Sequence, residues 1–250
     1  MWTKTTATTT MRKNLEKIKT FCIVIRDNER SEYYFNKIKD SWAEAGVNLE
    51  RIDATTPETI DPKFEFEDQH YAEKYQKAGV IKTMSPTEKA VLVSHIRIWK
   101  QIINNQYQNN LVLEHDALLE NVELFYDWYF NKTEDVRFYG IGASCYSITP
   151  RAAQQILQRI HRDRTQKNLK LNSGPMAYIA PQPTQNHKMH DYPIWYAFKH
   201  FHAKEHPVSH IFDRDIGTTI DHYPTEDLNQ FKERAERTNA TLWRFLDEER

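Results

Sequence analysis

Phe21-Cys22-Ile23-Val24-Ile25 is an unbroken apolar run of strand length. A strand that buries one face alternates apolar and polar residues. An unbroken run therefore predicts a strand covered on both sides, as in a parallel sheet with helices above and below it. The next thirty residues agree. Ser31 to Ala45 carries Tyr34, Phe35, Ile38, Trp42 and Ala45 at three- and four-residue spacing, the stripe of a sheet-packed helix, and Gly46 suits its C-terminal stop. Leu49 to Ala54 reads as a second strand. Strand, helix, strand in this order implies parallel pairing through a right-handed crossover.

Further along, residues 55–83 are polar and weakly patterned. Ser85-Pro86-Thr87-Glu88 then marks a helix start: Ser85 caps, Pro86 suits the first helical position and Glu88 completes a capping box. That helix is expected to run to about Asn104, burying Val91, His95, Ile98, Trp99 and Ile102. Leu111-Val112-Leu113 is the next buried strand, followed by a helix over Val122 to Phe130. One or two strands are expected within Phe138 to Ile148, and a helix opens at Thr149-Pro150 and ends near Arg162. Glu226 to Glu249 reads as a charged helix or helix pair with Thr225 as its cap. The expectation is an α/β chain in three parts: a tail over 1–20, one domain over 21–222 and a helical extension over 223–250.

Composition excludes several classes. There are 6 glycines in 250 residues, against an average of roughly 7%. Neither G-x-G-x-x-G nor a P-loop occurs, and Gly140-Ile141-Gly142 lacks the third glycine of the dinucleotide fingerprint. If a nucleotide is bound, something other than a glycine nest neutralises its phosphates. With 34 basic and 35 acidic residues the net charge is -1, so no global field favours nucleic acid. Two cysteines, Cys22 and Cys145, make no disulfide framework. Met1 to Thr20 has no apolar signal region, and no apolar run approaches the roughly 20 residues of a membrane span. The expectation is a cytoplasmic protein.

The most informative chemistry is at Leu111-Val112-Leu113-Glu114-His115-Asp116-Ala117, where two carboxylates leave a central strand together. Ligands of open α/β sheets gather at the carboxyl ends of strands. Paired oxygen ligands there suit Mg²⁺ or Mn²⁺ bridging to a diphosphate. The intervening His115 is more at home with Mn²⁺. The same tripeptide also suits a solvated acidic turn, and on its own it leaves both open.

Its company resembles glycosyltransferase family 25, the lipopolysaccharide and collagen galactosyltransferase group. Arg26 and Arg30 after the first strand look like that family's R-x-x-x-R opening, and Ile52-Asp53-Ala54 looks like its D-A element. Met84-Ser85-Pro86-Thr87-Glu88, Val93-Ser94-His95 and Trp99 resemble its L-[ST]-x-x-E … L-S-H-x-x-x-W helix. Leu113-Glu114-His115-Asp116-Ala117 stands where the family has L-E-D-D-[AV]. Ser144 to Thr149 with Ala152, Ala153 and Leu157 resembles its A-Y-x-I-S-x-x-G-A-x-x-L-L stretch. The likeness extends over about residues 21–220. It departs at His115, which replaces an aspartate, and at Ala152, which replaces a glycine. His190-Asp191-Tyr192-Pro193 matches the later P-[IV]-D element loosely.

The resemblance implies a GT-A fold, with a Rossmann-type, mostly parallel sheet flanked by helices, and inverting transfer of a hexose, galactose-like. The donor would be a nucleoside-diphosphate sugar, UDP-linked, and the acceptor a hydroxyl on a glycan or lipid-linked saccharide. Glu114, His115 and Asp116 would hold Mn²⁺ or Mg²⁺. His222, beside Thr218-Thr219-Ile220, would complete the metal shell, unless it is a surface loop histidine. Arg26 and Arg30 would grip phosphate or ribose oxygens, or be ordinary surface arginines. Asp53 would accept from ribose or base, and Ser94 and His95 would lie near the donor, with a buried core histidine as the plainer account of His95. Gly142 would allow a close approach of backbone to sugar, or make a bend between strands. Asp191 is the candidate general base, with helix capping as its alternative. The rival functional reading is a catalytically degenerate nucleotide- or sugar-binding protein on the same scaffold.

Two other patterns carry less. His202-Ala203-Lys204-Glu205-His206 spells the H-x-x-E-H of some metallopeptidases, but that motif needs a helix and Pro207 disfavours one there. Seven of the 11 histidines fall between His187 and His222.

Overall fold

Strand β1 (Lys19–Val24) occupies the middle of the expected parallel unit. The structure is a computed structural model, and it describes residues 18–60, 86–133, 135–140, 144–165, 205–212 and 243–245. The pleat sends Phe21 and Ile23 into one core and Cys22 and Val24 into the other, so both faces are covered and no polar alternation survives. Helix α1 (Glu29–Glu44) follows. It starts two residues before the expected Ser31, because the Asn28 side chain accepts from Ser31 N and caps it. Tyr34, Ile38 and Trp42, one turn apart, are its buried stripe, and it stops where Gly46 takes φ 78°, a left-handed value that glycine adopts at little cost.

Strand β2 (Arg51–Asp53) pairs parallel to β1. Helix α2 (Pro86–Asn105) leads into β3 (Asn110–Glu114), which pairs parallel to the other side of β1. After β4 (Ala117–Leu119) comes helix α3 (Val122–Phe130), then β5 (Val136–Phe138) and β6 (Cys145–Ile148). Helix α4 (Pro150–Thr165) follows. The main sheet has the order β2-β1-β3-β6-β5. β6 is antiparallel to both β3 and β5, so four strands share one direction and β6 alone is reversed. Asn110 extends the β3–β6 pairing with its side chain, which accepts from Ile148 N and donates to Ile148 O.

Phe21, Ile23, Val112, Tyr146 and Ile148 face α2 and α4, with Trp99, Ile102 and Ile156 closing that layer. Cys22, Val24, Leu111, Leu113 and Cys145 face α1 and α3. This is the mixed, mostly parallel α/β sheet with helices on both faces that the apolar run of β1 predicts. Two buried rings on the α1 and α3 side have paired polar atoms: Trp42 Nε1 donates to Ala117 O at 2.8 Å and Tyr126 Oη to Ala45 O at 2.7 Å. Both cysteines are free thiols in the interior, pushed up by burial.

A second sheet has the order β4-β7-β8, and its Ala117, Leu119, Val208 and Ile211 join the core on the α1 and α3 side. β7 (Val208–Phe212) is antiparallel to β4, and β8 (Trp243–Phe245) is parallel to β7. Trp243 to Phe245 lie inside the segment expected to be helical, and there the expectation is corrected. The alternating Trp-Arg-Phe pattern has the period of a strand, and the free edge of β7 pairs with it. The rest of residues 223–250 lies outside the described residues.

Candidate active site

The parallel pairings set the site. Val24 stands opposite Asp53 and Ile23 opposite Glu114, so β1, β2 and β3 end together at one edge of the sheet. The chain leaves β1 through Asp27, which adopts φ 56°, and α1 then begins. An open cleft of about 500 Å³ lies at the ends of β1 and β2, lined by Arg26, Asp27, Glu32, Arg51, Asp53 and Arg97 among others.

Three arginines and three carboxylates line this cleft, and Arg26 and Arg51 pair with Asp53 and Glu32. Arg26 and Asp53, expected separately as donor contacts, form an ion pair with each other. Arg51 Nε lies 3.5 Å from Asp53 Oδ1 and its Nη2 2.6 Å from Glu32 Oε1. Arg97 reaches back from α2 to donate to Thr55 Oγ1 at 3.1 Å and Asp53 O at 3.3 Å. Arg30 is exposed on the first turn of α1 and does not line the cleft. Arg51 and Arg97 take that place. The signal for Arg51 was its spacing of two from Asp53, which puts both on one side of a strand; Arg97 carries no motif.

Ser94 and His95 are neighbours on α2 with different tasks. Ser94 Oγ accepts from Thr55 N at 2.8 Å and donates to Ala90 O at 3.0 Å. Its one hydroxyl proton is used inside the protein, and the bond it accepts clamps the turn that follows Asp53. His95 is fully buried. Its Nδ1 lies 2.7 Å from Tyr146 Oη, and that oxygen accepts from Trp99 Nε1 at 2.9 Å. Burial holds the Tyr146 phenol well above its ordinary range, so it keeps its proton. His95 Nε2 is 3.8 Å from Glu114 Oε1 and has no hydrogen-bond partner.

Beyond Glu114 the chain turns into β4, and Asp116 meets the second sheet. Its Oδ2 is 3.2 Å from His210 Nδ1, and its main-chain O accepts from Ile211 N at 3.0 Å. Its Oδ1 is buried with no partner. Burial by itself raises the Asp116 carboxyl, but His210, with a smaller share from His115, outweighs it and holds the group at about 2. It is an anion at any ordinary pH. No motif in the sequence marks His210; the crowding of histidines over 187–222 is its one trace there. His115 is buried with its ring 6.1 Å from that of Tyr34 on α1. Gly140 is needed for packing: a Cβ there would lie 2.9 Å from Ser144 Oγ and 3.1 Å from Val208 O. Gly142, Asp191 and His222 lie outside the described residues. His206, the last histidine of H-x-x-E-H, sits in non-helical chain just before β7, edge-on to Trp128.

Among the described residues no three or more His, Cys, Asp and Glu side chains gather as a metal cage. Mg²⁺ and Mn²⁺ commonly take only one or two carboxylates, with substrate phosphates and water for the rest. Glu114 and Asp116 at one strand end, the latter with an unmet buried oxygen, fit that kind of site.

Residues 18–139 match the model of Glycosyltransferase family 25 (LPS biosynthesis protein). The match bears out the resemblance and the reading of the chain as a glycosyltransferase. It contains the family 25-like Arg26–Arg30, Asp53-Ala54, Ser94-His95 and Glu114–Asp116 segments, and it stops before Ser144 to Leu157. No curated protein gives a significant match to the chain. Among the described residues no helix is long and apolar enough to cross a membrane.

Proposed function

We propose that this chain transfers a hexose from a nucleoside-diphosphate sugar, UDP-linked, to a hydroxyl of a lipopolysaccharide-type glycan, with inversion at the sugar carbon and with Mn²⁺ or Mg²⁺ bound by Glu114 and Asp116. The observation that carries the reading is Asp116 Oδ1, a buried anionic oxygen with no partner at the carboxyl end of a central parallel strand. Such an atom is costly unless a cation or donor meets it. A divalent cation, when bound, supplies charge to stabilise the departing diphosphate.

The chain's own residues do the rest. His210 holds Asp116 ionised and in one orientation. Arg26, Arg51 and Arg97 line the cleft, and a diphosphate entering it would take the place of the carboxylate partners of Arg26 and Arg51, a geometry guanidinium groups match in pairs. Ser94 and Arg97 keep the β2 exit in place beneath the donor. Inversion requires one in-line attack by the acceptor hydroxyl with a base to take its proton. Asp191 as that base, Gly142 near the sugar and His222 as a further metal ligand belong to the same proposal.

The test is nucleoside-diphosphate release from a panel of nucleotide sugars with Mn²⁺ and a lipooligosaccharide acceptor. Asp116→Asn is expected to abolish release while leaving the circular dichroism spectrum unchanged. Release that survives both Asp116→Asn and chelation would overturn the metal role. One observation favours a non-catalytic reading: His115 packs on Tyr34 where the family pattern has an aspartate. Calorimetric donor binding with no release under any metal or acceptor would select it.

A further inference from the structure

We infer that His95 is a positioning residue that presents an Nε2–H to Glu114, with its tautomer set by a buried chain running from Trp99 through Tyr146. Trp99 Nε1 can only donate, so Tyr146 Oη accepts from it. Tyr146 has one hydroxyl proton, and its remaining partner is His95 Nδ1 at 2.7 Å. In an interior with no solvent to take that proton, it goes to Nδ1. Nδ1 is then the acceptor, and the neutral imidazole carries its hydrogen on Nε2. Nε2 has no hydrogen-bond partner, and a Glu114 carboxylate oxygen stands 3.8 Å away.

The burial of the two partners differs in the required way. His95 is 0% exposed, so it does not touch a ligand. The Glu114 side chain is 22% exposed and can. The ring therefore acts through Glu114: one carboxylate oxygen is drawn toward Nε2–H, and the other is left for what binds at the strand end. The orientation of an oxygen ligand is thus fixed by a group outside the ligand shell, a common way of tuning such sites. Trp99 stands four residues after His95, one helical turn on, so both rings reach the same tyrosine. The proposal rests on the reading of Glu114 as a site carboxylate, and the experiment separates the two.

Long-range ¹⁵N–¹H spectra of the metal-free protein should show His95 as the Nε2–H tautomer, and Tyr146→Phe should shift it toward a mixture. The Glu114 side-chain ¹³C resonance should move in His95→Phe and return in His95→Gln, whose amide places a donor where Nε2–H was. Mn²⁺ affinity, read by electron paramagnetic resonance, should fall roughly 10–100-fold in His95→Phe and largely recover in His95→Gln. If His95→Phe does not fold, Tyr146→Phe and His95→Gln carry the comparison. An Nδ1–H tautomer in the wild type overturns the proposal, as does an unmoved Glu114 resonance in His95→Phe. If wild-type protein binds no Mn²⁺, the metal reading fails, and the tautomer and the Glu114 resonance still decide this one.

Discussion

Ser94→Ala tests whether the helix α2 serine holds the β2 exit or touches the donor. In the structure Ser94 Oγ is the partner of the buried Thr55 N–H at 2.8 Å. Removing the hydroxyl leaves that donor in an interior without water, at a cost of about 1–3 kcal/mol. The second hydrogen bond, to Ala90 O, is expendable, because a helical carbonyl keeps its bond from the backbone N–H four residues on. Alanine is the better helix former, by at most about 0.5 kcal/mol. The net loss is then on the order of 1–2 kcal/mol. For a chain of this size each kcal/mol lowers Tm by roughly 2–4 °C, so a drop of about 2–8 °C is expected.

The local effect is sharper than the global one. Hydrogen exchange at the Thr55 amide should quicken about 5–30-fold, the factor equivalent to that free energy. Asp53 lies two residues upstream, held also by Arg97 through its main-chain O, so donor KM should rise while kcat stays near wild type. Ser94→Thr, which keeps the hydroxyl, should restore both exchange protection and KM. Loss of donor binding with Tm and Thr55 exchange unchanged would refute the clamp and return Ser94 to the ligand.

The geometry sets two more outcomes. Gly140→Ala places a Cβ 3.1 Å from Val208 O, a backbone atom that cannot rotate away as Ser144 Oγ can; a destabilisation of about 1–3 kcal/mol in urea titration is expected, and none would mean that β7 packs less closely on this turn. The Asp116 carboxyl is lowered to about 2 in the folded chain, against about 3.9 unfolded. The unfolded state therefore binds more protons between these values. The contribution, on the order of 2 kcal/mol, is complete above about pH 4 and disappears as pH falls toward 2. The stability of metal-free wild type should thus fall more steeply than that of Asp116→Asn over this interval, and parallel curves would show that His210 does not hold the carboxylate.

What could be read from the chain alone was what neighbours in sequence decide. The apolar run at β1, the α1 stripe of Tyr34, Ile38 and Trp42, the span of α3 and the strand that ends in Glu114 each depend on local periodicity. What could not be read depends on pairings over long separations. The strand at Trp243–Phe245 exists because β7 offers it an edge, and His210 reaches Asp116 because β7 pairs with β4 across about ninety residues of chain. Seen from sequence, Ser94 and His95 are one motif beside one donor. In the fold they sit about 100° apart around α2, and that angle divides their work. Ser94 turns to the exit of β2 at Thr55, while His95 turns through Tyr146 to the exit of β3 at Glu114. Arg97 completes the first contact and Trp99 the second. Ser94-His95-x-Arg97-x-Trp99 therefore forms a brace that ties two strand ends to one helix. It lets a chain poor in glycine hold the carboxyl ends of β2 and β3 in register by side chains instead of by a tight backbone turn.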